Sequence, residues 1–309
     1  MKTISFIILN YNGWEDTLDC LDSIQKITIP SDYIVKVIVV DNGSNNESVE
    51  RIERWLFNIH ESNISLIENQ YELYNDEKYV LIQSPINKGF SGGNNIGIKF
   101  AQSISTDYFF LLNNDTLVES NFLVPLINII SNRKDVGLIG PKIYDFYNKN
   151  HYILGGNISK KKCSGYHIYD SQSANLKEVT FVSGCAWLIK REIFEKCGLM
   201  DENYFLYVED VDYCYRIQRA GYKLTVSKDS CIYHKESKST YFKPILYYYN
   251  TRNRLYFNKK FNSKINQKKF YIYFFITRII KIIMHPQITK FIVKGVIDYR
   301  KGIYGGYKN

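Results

Sequence analysis

The segment Phe205-Leu-Tyr-Val-Glu-Asp-Val-Asp-Tyr-Cys-Tyr-Arg216 sets three carboxylates, Glu209, Asp210 and Asp212, within four positions directly after an apolar, aromatic run. Charges that close repel, and three uses are open to them: a general base, a metal site, or the acidic first turn of a helix. A second concentration of polar groups is spread over three places: Asn10-Tyr-Asn-Gly13, Asp41-Asn-Gly-Ser-Asn45 and Asn113-Asn-Asp-Thr116. Each follows a short apolar run. Asn, Asp and Gly make ordinary turns after strands, so one such place carries little information. Three together point to a shared pocket.

The runs that must position these groups read as alternating strand and helix. Ile4–Leu9 and Ile34–Val40 are short and β-rich, and the stretch from Trp14 to Ile27 between them has its apolar residues at helical spacing. Ser65–Glu68, Tyr79–Gln83, a helix over Asn94–Gln102 and a strong strand at Tyr108–Leu112 continue the pattern. This predicts an α/β fold: a Rossmann-like, mostly parallel sheet with helices on both faces, whose ligands collect at the carboxyl ends of the strands. Residues 56–78 read as a polar, irregular excursion between strands.

With 309 residues, 45% of them hydrophobic, the chain can bury a full core. Its net charge of +9 hides a split. Residues 1–236 carry 24 Lys and Arg against 30 acids, and residues 237–309 carry 16 against one. A basic tail suits nucleic acid or an anionic membrane surface. No nucleic-acid recognition motif accompanies it, which weighs against that partner. Phe270–Met284 is strongly apolar, but Arg278 and Lys281 interrupt it short of the roughly 20 clean residues of a spanning helix. Lying in the interface, or packing on the protein's own body or on a second subunit, are the two readings left open. The N-terminal apolar run stops at Asn10 without a cleavage site and reads as a first strand. Six cysteines without any C-x-x-C pair weigh against a zinc or redox motif and suit a reducing cytoplasm.

Taken in order, Ser5–Asn12, Val37–Ser44, Asn87-Lys-Gly-Phe-Ser-Gly-Gly-Asn-Asn-Ile-Gly97, Leu111–Thr116, Gly184-Cys-Ala-Trp-Leu-Ile-Lys-Arg191 and Tyr207–Asp212 resemble family 2 glycosyltransferases. The resemblance covers roughly residues 3–240, and six segments in the right order make it specific. It implies a GT-A fold, a nucleotide-sugar donor, a divalent metal (Mn²⁺ or Mg²⁺) and inversion at the anomeric carbon. Residues 1–240 would form the catalytic domain, with a donor half to about 118 and an acceptor half from about 119. Residues 241–309 would be a basic, aromatic helical extension. The chain looks most like bacterial rhamnosyltransferases of surface-polysaccharide assembly, partly because of Tyr247-Tyr-Tyr-Asn-Thr-Arg-Asn-Arg254.

The resemblance assigns roles residue by residue. Asn113-Asn114-Asp115 stands where the family carries aspartate-x-aspartate. Asp115 would therefore be the direct metal ligand, and Asn113 would reach the ribose or a metal-bound water. His234 stands where related enzymes carry a histidine near the metal. Asp41 would accept a hydrogen bond from a pyrimidine, with Asn10 and Tyr11 lining the base pocket, a preference that fits dTDP and UDP equally. Asn87, Lys88, Gly89, Gly93 and Asn94 would bring backbone N–H groups and a cation to the diphosphate. Asp210 would be the base, with Glu209 as its understudy. Asp212 would form a helix-surface ion pair with Arg216. Gly184 and Trp187 would sit at the sugar and acceptor end, where the tryptophan either stacks on a ring or fills core, and Pro141–Tyr169 would face the acceptor. The resulting expectation is transfer of L-rhamnose from dTDP-rhamnose to a lipid-linked saccharide at the inner face of the cytoplasmic membrane, with peripheral membrane contact through the tail or burial of the tail in a homodimer. A UDP-sugar transferase and a non-catalytic nucleotide-sugar binder are the alternatives.

Overall fold

The computed structural model describes residues 1–69, 77–169, 176–235 and 244–308. Its framework is one sheet. Five strands, β1 (Lys2–Asn10), β2 (Tyr33–Asp41), β3 (Asn63–Ile67), β4 (Tyr79–Gln83) and β5 (Tyr108–Asn113), lie in the order β3-β4-β2-β1-β5, all parallel. Successive residues of β1 serve opposite faces. Ile4, Phe6 and Ile8 enter one core, and Ile7 enters the other. Runs of Val and Ile without polar alternation, as in Val37–Val40, suit strands covered on both sides.

Helices α1 (Trp14–Ile24), α2 (Ser48–Asn58) and α4 (Leu123–Asn132) cover the first face, and α3 (Gly89–Ser103) covers the second. Beyond β5 the sheet continues through β12 (Ala186–Lys190), antiparallel to β5, then β7 (Val136–Asp145), β13 (Lys223–His234) and β11 (Leu176–Val179). The short strand β6 (Thr116–Val118) pairs with the end of β13, and β8 (Tyr152–Ile153) with β7. A separate hairpin joins β9 (Gly156–Ser159) to β10 (Ser164–His167). Helices α5 (Arg191–Cys197) and α6 (Glu209–Arg219) join α3 on the second face. The expected donor and acceptor halves therefore share one continuous sheet.

The polar excursion begins inside α2, whose Ile52 and Leu56 are buried at i, i+4, and then supplies the edge strand β3; its residues 70–76 lie outside the described residues. The C-terminal helices pack on the protein's own body, one of the readings left open above. Helix α7 (Ile245–Phe261) sends Leu255 and Phe257 into the second-face core, and α8 (Lys264–Met284) adds Phe270 and Phe274. The expected boundary near 240 falls outside the described residues. Helix α9 (Thr289–Lys301) closes over α7, where a side chain on Gly295 would come within 2.9 Å of the Tyr248 carbonyl oxygen.

Candidate active site

Parallel pairing sets the carboxyl ends of β1, β2 and β5 side by side, with Asn10 opposite Asp41 and Leu9 opposite Asn113. The three polar strand ends are tied together. Asn10 Nδ2 donates to Asp41 Oδ2 (2.7 Å) and Ser44 Oγ (3.2 Å), and its Oδ1 accepts from Thr17 Oγ1 (2.9 Å). Asn114 Nδ2 donates to the same threonine (2.9 Å) and to the Gly13 carbonyl (3.1 Å). Asn10 is thus fully buried and organises the floor of this cluster, whereas Tyr11 stands 48% exposed. Asp41 accepts three protein hydrogen bonds, two of them from Ser44, so it both caps its turn and retains one of the four acceptor sites of a carboxylate.

The glycine-rich segment packs tightly against the sheet and the 205 loop. Helix α3 begins at Gly89, ahead of the expected start at Asn94. The N–H groups of Lys88, Gly89 and Phe90 are already bonded, to Asn42 Oδ1 (3.0 Å), Asn87 Oδ1 (2.8 Å) and the Phe205 carbonyl (2.7 Å). A side chain on Gly89, whose φ is +72°, would meet that carbonyl oxygen at 2.3 Å, and one on Gly93 would meet Leu9 Cδ1 at 2.3 Å. These glycines let α3 lie close on the sheet and on the 205 loop. Asn94 is buried and donates to the Phe90 carbonyl (2.9 Å), and Lys88 is ion-paired with Glu68.

Asp115 lies in the turn between β5 and β6, and His234 ends β13 directly beside it, with Nε2 3.0 Å from Asp115 Oδ1. The Lys235 N–H donates to the Asp115 carbonyl (2.9 Å), and Lys235 Nζ is anchored by Asp16 and Asp19 on α1 (2.8 and 2.6 Å). Burial alone would raise the Asp115 pKa, but the His234 hydrogen bond and charge outweigh it and the carboxyl is lowered. Burial works against the imidazolium, yet the neighbouring Cys185 and Asp115 hold the His234 pKa well above its ordinary value. With the proton between them displaced, this carboxylate oxygen and imidazole nitrogen would offer two ligands to a divalent cation that completes its coordination from phosphate oxygens and water. Among the described residues, no cluster of three His, Cys, Asp or Glu side chains supplies a full ligand set.

Glu209 and Asp210 open α6 after a loop with positive φ at Phe205 (55°), Tyr207 (69°) and Val208 (76°). Such backbone is costly for residues with side chains and persists only where the surroundings enforce it. Helix α7 does the enforcing. Asn253 Nδ2 faces the carbonyls of Tyr204, Leu206 and Tyr207 at 2.7, 2.8 and 2.8 Å, and Arg252 reaches those of Asn203 and Tyr204 at 3.3 and 3.2 Å. The Phe205 ring stacks on Tyr249, with centroids 5.5 Å apart. Residues 247–254 were noticed in the sequence only as a family-like string. That polar side chains in mid-helix face inward to hold a strained loop is visible only once α7 is docked.

Asp210 accepts the N–H groups of Val211 (2.8 Å) and Gly184, and burial pushes its pKa up to about 6. Glu209 is raised well above its ordinary value, by burial first and then by the Asp210 charge, and its Oε2 is buried without a hydrogen-bond partner. The dipeptide Gly184–Cys185 links the two halves of the site. Gly184 backs Asp210, the Cys185 carbonyl accepts from the Asn113 N–H (2.9 Å), and the Cys185 side chain lies against His234. A cavity of about 180 Å³ opens beside His234, lined by Tyr144, Asp145, His151, Tyr152 and Tyr169 among others. Its walls come from the Pro141–Tyr169 segment.

One open reading closes and one expectation needs correcting. Trp187 is fully buried, donates Nε1–H to the Val182 carbonyl (3.1 Å) and stacks on Tyr213, so of its two readings the core-filling one holds. Asp212 is also fully buried, not a surface partner. It accepts from Arg216 (2.6 Å), Lys260 on α7 (2.6 Å) and Tyr204 (2.9 Å), cross-linking α6 to α7.

The family model of Glycosyl transferase family 2 matches residues 5–198, and that of Glycosyl transferase family group 2 matches residues 108–296. The low-salt glycan biosynthesis hexosyltransferase Agl10 of Haloferax volcanii is 24% identical over 222 residues, 71% of this chain and 62% of the relative. The dTDP-rhamnosyl transferase RfbF of Shigella flexneri is 27% identical over 159 residues, 51% of this chain and 52% of the relative. The chain thus spans under two thirds of the length of these relatives. Among solved structures, the mannosyltransferase PcManGT from Pyrobaculum calidifontis, in complex with GDP-Man and Mn²⁺, superposes with a TM-score of 0.58 at 13% identity, covering 96% of this chain and 86% of that one.

Proposed function

The chain belongs to glycosyl transferase family 2, and on that premise we propose that it is an inverting glycosyltransferase that takes a sugar from a pyrimidine nucleotide-sugar, foremost L-rhamnose from dTDP-rhamnose. The observation that carries the reading is the pairing of a desolvated Asp210 with the Asp115–His234 pair across the Gly184–Cys185 bridge. Inversion needs a base on the face of the sugar opposite the leaving diphosphate. Asp210 accepts the acceptor hydroxyl proton, the acceptor oxygen forms the new bond to the anomeric carbon, and the bond from that carbon to the diphosphate oxygen breaks with its electron pair leaving on the diphosphate. Burial raises the pKa of both adjacent carboxyls, that of Asp210 to about 6, which poises Asp210 to take up a proton near neutral pH.

Asp115 and His234 would hold Mn²⁺ or Mg²⁺, which when bound stabilises the negative charge of the departing diphosphate. Tyr11 offers its exposed ring to the base, and Asp41 its remaining acceptor site. The acceptor in this reading is a lipid-linked saccharide met at the inner face of the cytoplasmic membrane, with the aromatic cavity beside His234 taking its sugar end. Among the described residues no helix is long and apolar enough to cross a membrane. Contact would come through the outer face of α8, where Ile272, Ile276, Ile279, Ile280 and Ile283 are exposed.

The match to a hexosyltransferase over 71% of this chain favours a second donor reading, a UDP-hexose, with the same machinery. Calorimetry with Mn²⁺ separates them. Selective, metal-dependent binding of dTDP-rhamnose supports the first reading, preference for UDP-glucose or UDP-galactose supports the second, and no binding of any of the three overturns both.

A further inference from the structure

Helix α8 presents one stripe to the protein. Phe270, Phe274 and Arg278, spaced four residues apart, are its buried residues. An arginine at the end of an aromatic stripe is unexpected, and its surroundings make it more so. Arg278 is 4% exposed, its guanidinium lies over the Phe274 ring at 4.7 Å, and its Nε and one terminal nitrogen are buried without a hydrogen-bond partner. A buried, uncompensated cation is strongly unfavourable.

Two more cations share its pocket. Arg254 on α7 is 9% exposed and donates to the Lys162 carbonyl, and Lys281 stands one turn beyond Arg278. With Leu246, Tyr247 and Asn250 they line a cavity of about 280 Å³. Among the described residues no carboxylate pairs with any of the three. Burial first, and then their mutual repulsion, lowers the pKa of Arg278, to about 10, and of Lys281. The arrangement is built for an anion with several oxygens, because guanidinium forks match phosphate oxygens. Beside the pocket, the outer face of α8 exposes Ile272, Ile276, Ile279, Ile280 and Ile283, flanked by Lys161 and Lys269. The same helix therefore carries cations towards the pocket and an apolar strip on its outer face, a combination that matches a charged group on a hydrocarbon tail, whereas a free nucleotide or inorganic phosphate would use only the pocket.

We propose that Arg254, Arg278 and Lys281 form a binding site for a phosphate or diphosphate group borne on a hydrocarbon chain, with the chain lying along the exposed isoleucine face of α8. Identifying that ligand with the lipid-linked acceptor rests on the glycosyltransferase reading; the anion site does not. One helix would then serve both ends of the acceptor. The Tyr248–Tyr249 and Arg252–Asn253 side of α7 secures the loop before Asp210, and its Leu246–Asn250–Arg254 side faces the anion pocket.

The test is calorimetry on the full chain in metal-free buffer with chelator, using pyrophosphate and geranyl diphosphate as probes. Both should bind, geranyl diphosphate at least about tenfold more tightly because its chain is desolvated. Arg278→Met should weaken both by about tenfold or more, while its melting temperature without ligand stays level or rises, since a buried unpartnered charge is gone. Should Arg278→Met not fold, Lys281→Ala carries the same expectation for binding. Asp115→Asn should bind both probes as the parent does, which separates this pocket from the nucleotide site. Undiminished affinity in the variants of Arg278 and Lys281, or loss of affinity in Asp115→Asn alone, overturns the site. Equal affinity for the two probes overturns the hydrocarbon assignment and leaves a site for free phosphates.

Discussion

Replacing Asn253 by alanine removes a single buried amide and tests how the base is positioned. The Asn253 amide nitrogen faces three carbonyls at 2.7–2.8 Å, and its two hydrogens can serve two of them fully at any moment. Each buried carbonyl left without a donor costs about 1–3 kcal/mol. Part is recovered as water enters, so the net loss of stability should be about 2–4 kcal/mol. The loop it holds carries positive φ at three residues with side chains, Phe205, Tyr207 and Val208, and each such position stores about 1–3 kcal/mol that the loop can release by relaxing. Relaxation moves Asp210, two residues after Val208, away from the acceptor hydroxyl. The expected outcome is a kcat lower by about 10- to 100-fold, with donor affinity unchanged because Asn10, Asp41 and Asp115 stand on other elements. Denaturant unfolding, steady-state kinetics and donor calorimetry on one preparation read the three quantities. Full kcat in a destabilised variant would refute the positioning argument, as would donor affinity falling in step with kcat.

Other consequences can be checked separately. The rate should be lost as pH falls through about 6, where Asp210 takes up its proton, and the acid limb of the kcat/KM profile should shift if Glu209 is replaced by Gln, which removes a carboxyl coupled to it. Trp187→Phe should leave the acceptor KM unchanged and lower stability by about 1–3 kcal/mol, the cost of a smaller ring in a full core and of a Val182 carbonyl left with only the weak Cys214 thiol donor; a raised KM with unchanged stability would favour the sugar-stacking reading. Asp115→Asn should abolish the metal dependence of donor binding and drop the His234 pKa, followed by its imidazole NMR titration, because the hydrogen bond and the charge that favour the imidazolium are weakened.

The sheet was legible because its strands are covered on both faces and so read as unbroken runs of Val, Ile and Phe, and the first helix because it follows one of them at a clear helical period. Helix α2 was harder. Its buried residues are few and its exposed face is crowded with charge, so it merged with the polar excursion that follows. At the site, residue type at strand ends located Asn10, Asp41 and Asp115, but composition cannot say which way a side chain points. Asn10 and Asn94 turn inward to bond the protein, and for Trp187, where stacking on a sugar and filling core were both open, the docking of β12 between core layers decides for core. The glycines of 89–97 were read for their freedom to approach a phosphate, whereas close approach to Leu9 and to the 205 loop is what excludes side chains there. The clasp of Arg252 and Asn253 on the loop before Asp210 joins residues nearly fifty positions apart, a separation that no local pattern encodes.

Asp210→Asn tests the central claim most directly, measured as sugar transfer together with donor affinity and unfolding at pH 8. The amide keeps the shape and, through its one oxygen, the hydrogen bond from the Val211 N–H, but cannot take a proton. Its effect on stability has a fixed sign. The folded pKa of Asp210 is raised from 3.8 to about 6, so ionisation opposes folding above that range, and the cost is absent below about pH 4. The account predicts that transfer is lost, donor binding is retained, and the variant is more stable than the parent at pH 8 but not at pH 4. Retained transfer would contradict it, and so would donor affinity lost together with activity.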